Sequence, residues 1–340
     1  MKRLPSLDGF RAVSIILILI CHGRLSYGFP GWFADIARHG LVGVTVFFVI
    51  SGFLITHLLL TEEAKYQSIH PGRFYIRRAF RILPVFLLYT LFILVVNNVY
   101  LLGLTRTNFI HAFTFTVNFD PKTNWFLGHF WSLSVEEQFY LMWPLLLLFC
   151  RKHLKPVLII LIVYACLARV IDYKHPAYST ITLSPFFMHA DAILIGAFGG
   201  LVYFDNPDFI KHKVFHSNGL KVFSVTVILL FIYLSGYGKL AILSLPFSGL
   251  FISGAVLFLI LGNLTPSNNL LYKLLNNRVM VHIGVLSYSL YIWQEFFFVG
   301  DVVVWWRTWP VNILIIYIVA LGSYYLWEKP FLKLRQYILK

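Results

Sequence analysis

Two residues inside the first long apolar stretch could do chemistry together, Arg11 and His22. They lie eleven positions apart, about three turns of an α-helix, so their side chains share one face about 16 Å apart along the axis. Histidine is the side chain that accepts and returns a proton near neutral pH. Arginine is the side chain that holds an anion. Asp8, three residues before Arg11, is placed to pair with it. The plainer reading of a solitary apolar-helix histidine is a hydrogen bond between helices.

A second cluster lies in Arg73-Phe74-Tyr75-Ile76-Arg77-Arg78-Ala79-Phe80-Arg81-Ile82-Leu83-Pro84. Arg77 and Arg81 are i,i+4 neighbours, and Arg78 and Arg81 are i,i+3 neighbours, which builds one cationic helix face. The planar guanidinium fork suits phosphate. The same pattern also anchors a helix to lipid headgroups.

The third lies in Gly128-His129-Phe130-Trp131-Ser132-Leu133-Ser134-Val135-Glu136-Glu137-Gln138-Phe139-Tyr140. Adjacent carboxylates beside an apolar run are unusual. Glu136 follows Ser132 by four residues and shares its helical face. Such an acid orients an imidazole or takes a hydroxyl proton. Alternatively the segment is a helix N-terminus, capped by a serine, with Glu137 complementing the dipole.

Weaker signals are His189-Ala190-Asp191, Gln294-Glu295 and Trp327-Glu328-Lys329-Pro330. His153, His175, His212 and His216 carry no pattern. There is no glycine-rich phosphate loop, no paired Cys/His metal spacing and no nucleophile elbow, so no metal is expected.

The elements that must position these residues follow from composition. Of 340 residues 59% are hydrophobic and only 12% charged, against about 45–50% and about 25% in soluble domains. That excludes a soluble enzyme, a disordered chain and a coiled coil, and leaves a membrane-embedded protein. The three cysteines, Cys21, Cys150 and Cys166, sit in or beside apolar runs, a pattern of buried thiols rather than of disulfides.

A spanning helix needs about 20 mainly apolar residues. Ten stretches qualify, near 12–23, 41–61, 82–103, 138–150, 156–171, 188–204, 220–236, 240–262, 284–304 and 311–327. The first, fourth and fifth are short and are expected to extend into polar neighbours. The fold class is therefore all-α, a polytopic membrane protein of about ten spans in one domain over 1–340. Lys2 and Arg3 resemble a signal-peptide n-region, but Asp8 and Arg11 follow, so the first stretch reads as a retained span. With both termini cytoplasmic, 20 of the 28 Lys and Arg fall inside. That asymmetry predicts an N-in, C-in topology and removes the case for nucleic acid.

Taken together, the motifs resemble acyltransferase family 3. Leu7-Asp8-Gly9-Phe10-Arg11-Ala12 with His22 is similar to its Arg and His signature. Gly43 to Ile55 resembles its second-span signature, Phe74 to Pro84 its arginine motif, Phe130 to Tyr140 one of its most recognisable segments, and Glu328-x-Pro330 its C-terminal signature.

The resemblance implies an O-acyltransferase, usually an acetyltransferase, of the cytoplasmic (inner) membrane. It implies an acyl-CoA donor, by default acetyl-CoA, from the cytoplasm. It also implies a cell-surface or exported glycan, or a lipid-linked saccharide, as acceptor. Carried over residue by residue, it assigns catalysis to His22, Arg11 and Glu136. It assigns donor phosphates to Arg77, Arg78 and Arg81, and substrate binding or orientation to Asp8, Ser132, Glu137, Asp191 and Glu328. Membrane lipid is the remaining expected partner.

Two positions depart from the family pattern. Gln294 stands where many members have His, and His189 stands where many have the Arg of Arg-x-Asp. Glutamine cannot act as acid or base, so replacing Gln294 is expected to be mild.

The expected mechanism brings the donor's pantetheine arm past Arg11 to His22, which acts as general base or forms an acyl-imidazole. Glu136 or Asp191 is expected to orient the ring. The competing class is a polytopic transporter or flippase, which would also suit buried Arg and His, but no repeat symmetry is visible.

Overall fold

In lipid each backbone polar group must be satisfied within its own segment, so apolar runs become helices. The computed structural model describes residues 4–180, 182–299 and 304–339, and among them no strand occurs. In chain order the α-helices are α1 (Leu7–Gly23), α2 (Gly31–Ala37), α3 (Val42–Tyr66), α4 (Pro71–Tyr100), α5 (Arg106–Phe113), α6 (Trp125–Gly128), α7 (Phe130–Cys150) and α8 (Leu154–Lys174). They continue as α9 (Ser184–Asp205), α10 (Lys213–His216), α11 (Asn218–Gly236), α12 (Ala241–Leu261), α13 (Leu270–Leu275), α14 (Arg278–Phe297), α15 (Val311–Gly322) and α16 (Lys329–Ile338).

The apolar runs therefore locate the long helices, while polar residues extend them. α1 starts at Leu7 and α7 at Phe130, so Arg11, Ser132, Glu136 and Glu137 all lie on helices rather than in flanking loops. α4 starts at Pro71, which places the arginine cluster within its first three turns. In the other direction, α14 ends at Phe297, short of the expected 304.

Among the described residues seven helical stretches are long and apolar enough to cross a membrane: Gly31–Tyr66, Pro71–Tyr100, Trp125–Lys174, Ser184–Asp205, Asn218–Gly236, Ala241–Leu261 and Val311–Ile338. Trp125–Lys174 contains two helices of 21 residues each, α7 and α8, separated by a short 3-10 turn at Arg151–His153. The outward faces of α7, α8 and α11 carry large exposed apolar side chains, including Leu141, Phe149, Ile160, Val222 and Leu229. Such faces are suited to acyl chains and not to water. Lys2, Arg3 and Lys340, which enter the charge tally, lie outside the described residues.

The chain, expected above to be one domain over 1–340, packs as two compact units assembled from distant segments. The first comprises Met1–Ser14, Leu41–Ile69 and Trp143–Val285. Its centre is the α3–α9 pair, where the backbones nearly touch. A Cβ on Gly52 would strike the Ile193 carbonyl, and one on Gly196 would strike the Val49 carbonyl. Without a hydrophobic drive between helices in lipid, such small-residue contacts supply the dispersion energy. α8, α11 and α12 complete this unit.

The second unit comprises Ile15–Gly40, His70–Met142 and Leu286–Lys340. Its core is aromatic: Phe86, Tyr89, Phe130 and Phe298 are almost wholly buried. Phe86 packs on Phe130 with centroids 5.0 Å apart, and Tyr89 packs on Trp293 at 5.4 Å. A π-helical turn at Ser323–Glu328 joins α15 to α16. Such turns shift helix register and recur at functional sites. Here the turn ends at Glu328, which is turned inward.

Candidate active site

His22 is the penultimate residue of α1, and its side chain is 14% exposed. Its Nδ1 lies 3.9 Å from Oε1 of Glu295 on α14. The edge of Trp125 flanks the ring, with centroids 5.5 Å apart. Glu295 is itself buried, and its second oxygen, Oε2, lies 2.8 Å from Nδ1 of His129. The same Oε2 accepts the His129 backbone N–H at 3.2 Å. One carboxylate thus faces two imidazoles, all within the second unit.

The surrounding elements hold this arrangement. His129 stands at the junction of α6 and α7 and is 2% exposed. The Tyr291 hydroxyl donates to the His129 carbonyl at 2.9 Å, and Ser132 pairs with that hydroxyl. The Trp125 indole N–H donates to the Glu295 carbonyl at 3.0 Å. These bonds fix α14 against the α6–α7 junction and leave the carboxylate little freedom.

The chemistry follows from the ring edges. With Nδ1 turned to Glu295, a proton on Nδ1 is favoured by the carboxylate, and Nε2 is left as the basic nitrogen. A buried acid that sets the tautomer of a histidine is the logic of an activated nucleophile or general base. His129 Nε2 is buried without a hydrogen-bond partner.

Within the second unit the carboxylate facing His22 is Glu295. Asp191, in the first unit, is ion-paired with Arg169 of α8 at 2.6 Å. Arg169 also donates to the Met188 carbonyl at 2.7 Å and the Pro246 carbonyl at 3.3 Å. Where the family pattern has an arginine two residues before the aspartate, this chain brings the guanidinium from the preceding helix.

Glu136 and Glu137 lie within electrostatic range of Arg78. The Arg78 guanidinium packs on the rings of Phe74 and Tyr140, at 5.8 and 5.3 Å from their centroids. Arg78 Nε and Glu137 Oε1 are buried without hydrogen-bond partners. Arg81 lies within range of Glu328 and, with Arg77, of Arg335 on α16. Glu328 is 2% exposed and accepts the Ser289 hydroxyl at 2.9 Å. Arg11, in the first unit, donates to Asp8 at 2.9 Å, the pairing that their spacing suggests. Ser132 serves the His129 backbone directly, donating to its carbonyl at 3.2 Å, and also pairs with the Tyr291 hydroxyl.

Sequence reasoning overlooks His129 and undervalues Glu295. Both stand in plain view as titratable residues in or beside apolar helices, the signal that singles out His22. What the sequence lacks is any local spacing that joins residues 166 positions apart. Among the described residues no cluster of three or more His, Cys, Asp or Glu is arranged to hold a metal ion.

Comparison with known proteins adds an independent line. The family model described as an acyltransferase domain, acyltransferase family 3, matches residues 4–328. The peptidoglycan O-acetyltransferase OatA of Listeria monocytogenes is 35% identical over 184 residues, covering 48% of this chain and 27% of the relative. The O-acetyltransferase OatA of Staphylococcus aureus is 30% identical over 327 residues, covering 86% of this chain and 50% of the relative. The chain thus spans half the length or less of these curated relatives. No solved structure matches it.

Proposed function

The chain belongs to acyltransferase family 3, and from that premise we propose that it is a multi-pass membrane O-acetyltransferase. In this reading it moves an acetyl group from cytoplasmic acetyl-CoA to a hydroxyl of a cell-wall glycan. The peptidoglycan named for the Listeria relative is the favoured acceptor. The observation that carries the reading is the imidazole of His22 held against the buried carboxylate of Glu295, with His129 on its other oxygen.

The proposed step runs as follows. His22 Nε2 takes the proton of an acceptor hydroxyl as that oxygen attacks the thioester carbonyl carbon. The carbonyl electron pair moves to its oxygen and then returns, breaking the carbon–sulfur bond. The imidazolium returns its proton to the departing thiolate. Glu295 stabilises the imidazolium between these events. Arg77, Arg78 and Arg81 bind the donor's phosphates. Arg11 keeps the catalytic role that its match to the family motif implies.

Ten spans with both termini inside would put the arginine motif at the cytoplasmic face and His22 toward the outer face. The lysine and arginine asymmetry supports that topology.

The test is mass spectrometry of wall glycans from cells with and without the full chain, and with His22→Ala. A gain of one ester-linked acetyl unit that depends on His22 is expected. An unchanged glycan in cells where the protein reaches the membrane overturns the proposal.

A further inference from the structure

Gln294 is fully buried on α14, and neither its amide nitrogen nor its amide oxygen has a hydrogen-bond partner. Its amide interacts with the His22 ring, but no bond of strict hydrogen-bond geometry holds it there. Other side-chain amides here are engaged. Asn108 donates to Asp120 at 2.9 Å, Gln138 to Phe115 at 2.8 Å, and Asn312 to Ser26 at 2.7 Å. An unpaired amide in a dry helix interior is destabilising, and a methionine or leucine there would avoid that burden. The amide at the reacting imidazole is thus held in reserve, while its neighbour Glu295 is already committed to His129.

We infer that the Gln294 amide nitrogen donates a hydrogen bond to the thioester carbonyl oxygen as that oxygen gains negative charge. This rests on the proposed acetyl transfer and names the group that stabilises its tetrahedral intermediate. The proton-transfer half of that step needs a base, which is His22. The other half needs a donor aimed at the developing oxyanion, a role amide N–H groups fill. The donation forms no covalent bond and moves no proton. The electron pair that goes to the oxygen on attack returns when the carbon–sulfur bond breaks. With this role, replacing Gln294 is costly rather than mild.

The test compares wild type, Gln294→Met, Gln294→His and His22→Ala as full chains in native membranes. It reads acetyl transfer from radiolabelled acetyl-CoA to wall glycan, alongside thermal stability. Gln294→Met keeps the volume and removes the donor. It is expected to lower kcat about 100-fold, to leave the acetyl-CoA KM within about twofold, and to leave the melting temperature equal or higher. Gln294→His restores a donor and is expected to recover at least about a tenth of wild-type kcat.

A Gln294→Met enzyme within about threefold of wild-type kcat overturns the inference. So does a loss of activity matched by a fall in melting temperature, or a Gln294→His variant as inactive as the methionine one. Transfer that survives His22→Ala overturns the underlying reading instead, so the two failures are distinct.

Discussion

The Arg169–Asp191 pair in the first unit and the His22–Glu295–His129 group in the second are satisfied to different degrees. In the first unit Arg169 spends its guanidinium on Asp191 and on the Met188 and Pro246 carbonyls. Gly249 backs the pair so closely that a Cβ would strike both side chains. In the second unit Glu295 gives Oε2 to His129 while Oε1 faces His22 at 3.9 Å, and His22 Nδ1, His129 Nε2 and both polar atoms of Gln294 remain without hydrogen-bond partners. Asp191 Oδ2 has no hydrogen bond and is held by the ion pair alone, but there the two opposite charges compensate each other, and a compensated buried network rigidifies a fold. An uncompensated one is unstable on its own account, and that makes it the better place to look for a substrate.

The contrast can be broken by substitution. The largest effect is expected from His22→Ala, which should reduce acetyl transfer by about 10³-fold or more while the protein still inserts. Radiolabel transfer to wall glycan checks this. Glu295→Gln should follow, lowering kcat about 100-fold or more because the ring loses its fixed tautomer. Single-turnover kinetics would separate that from a binding defect. A wild-type rate in the Glu295→Gln variant would remove Glu295 from the mechanism and leave it a helix tie.

Arg78→Ala with Arg81→Ala should raise the acetyl-CoA KM about tenfold or more and leave the acceptor dependence unchanged. Unaltered donor affinity would make these arginines lipid anchors. The smallest effect on activity is expected at the compensated pair. Arg169→Ala should cost about 3–5 kcal/mol of stability by stranding Asp191, yet the protein that survives should retain its specific activity. Thermal unfolding followed by fluorescence, paired with the transfer assay, measures both. Loss of turnover without loss of stability would move Arg169 and Asp191 into the catalytic machinery.

Much of the fold is legible in the linear chain because burial in lipid demands helix-length apolar runs and permits few alternatives. The stretch at 220–236 is helix at Asn218–Gly236, and that at 240–262 is helix at Ala241–Leu261. Helix ends are less legible where polar residues continue a helix. The arginine motif, read as one helix face, belongs to α4, which begins at Pro71, well before the apolar run expected from residue 82. The site is half legible. The rarity of titratable groups in apolar helices points to Arg11, His22 and Asp191 without any alignment. The same rarity points to Glu295, but Glu136 has an adjacent carboxylate and a motif around it, and so draws the orienting role in a reading of the sequence.

By itself the sequence determined that this protein lives in lipid, that its helices span long apolar runs, and that Arg11 and His22 share one face of its first helix. Those are local properties, set by transfer free energies and by the 3.6-residue period. Only the tertiary structure decided which carboxylate meets which imidazole. It placed Glu295 between His22 and His129, gave Asp191 to Arg169, and left Gln294 without a hydrogen bond. The pairing of Glu295 with His129 joins residues 166 positions apart. Contacts of that kind follow from how helices pack rather than from the spacing within any one of them.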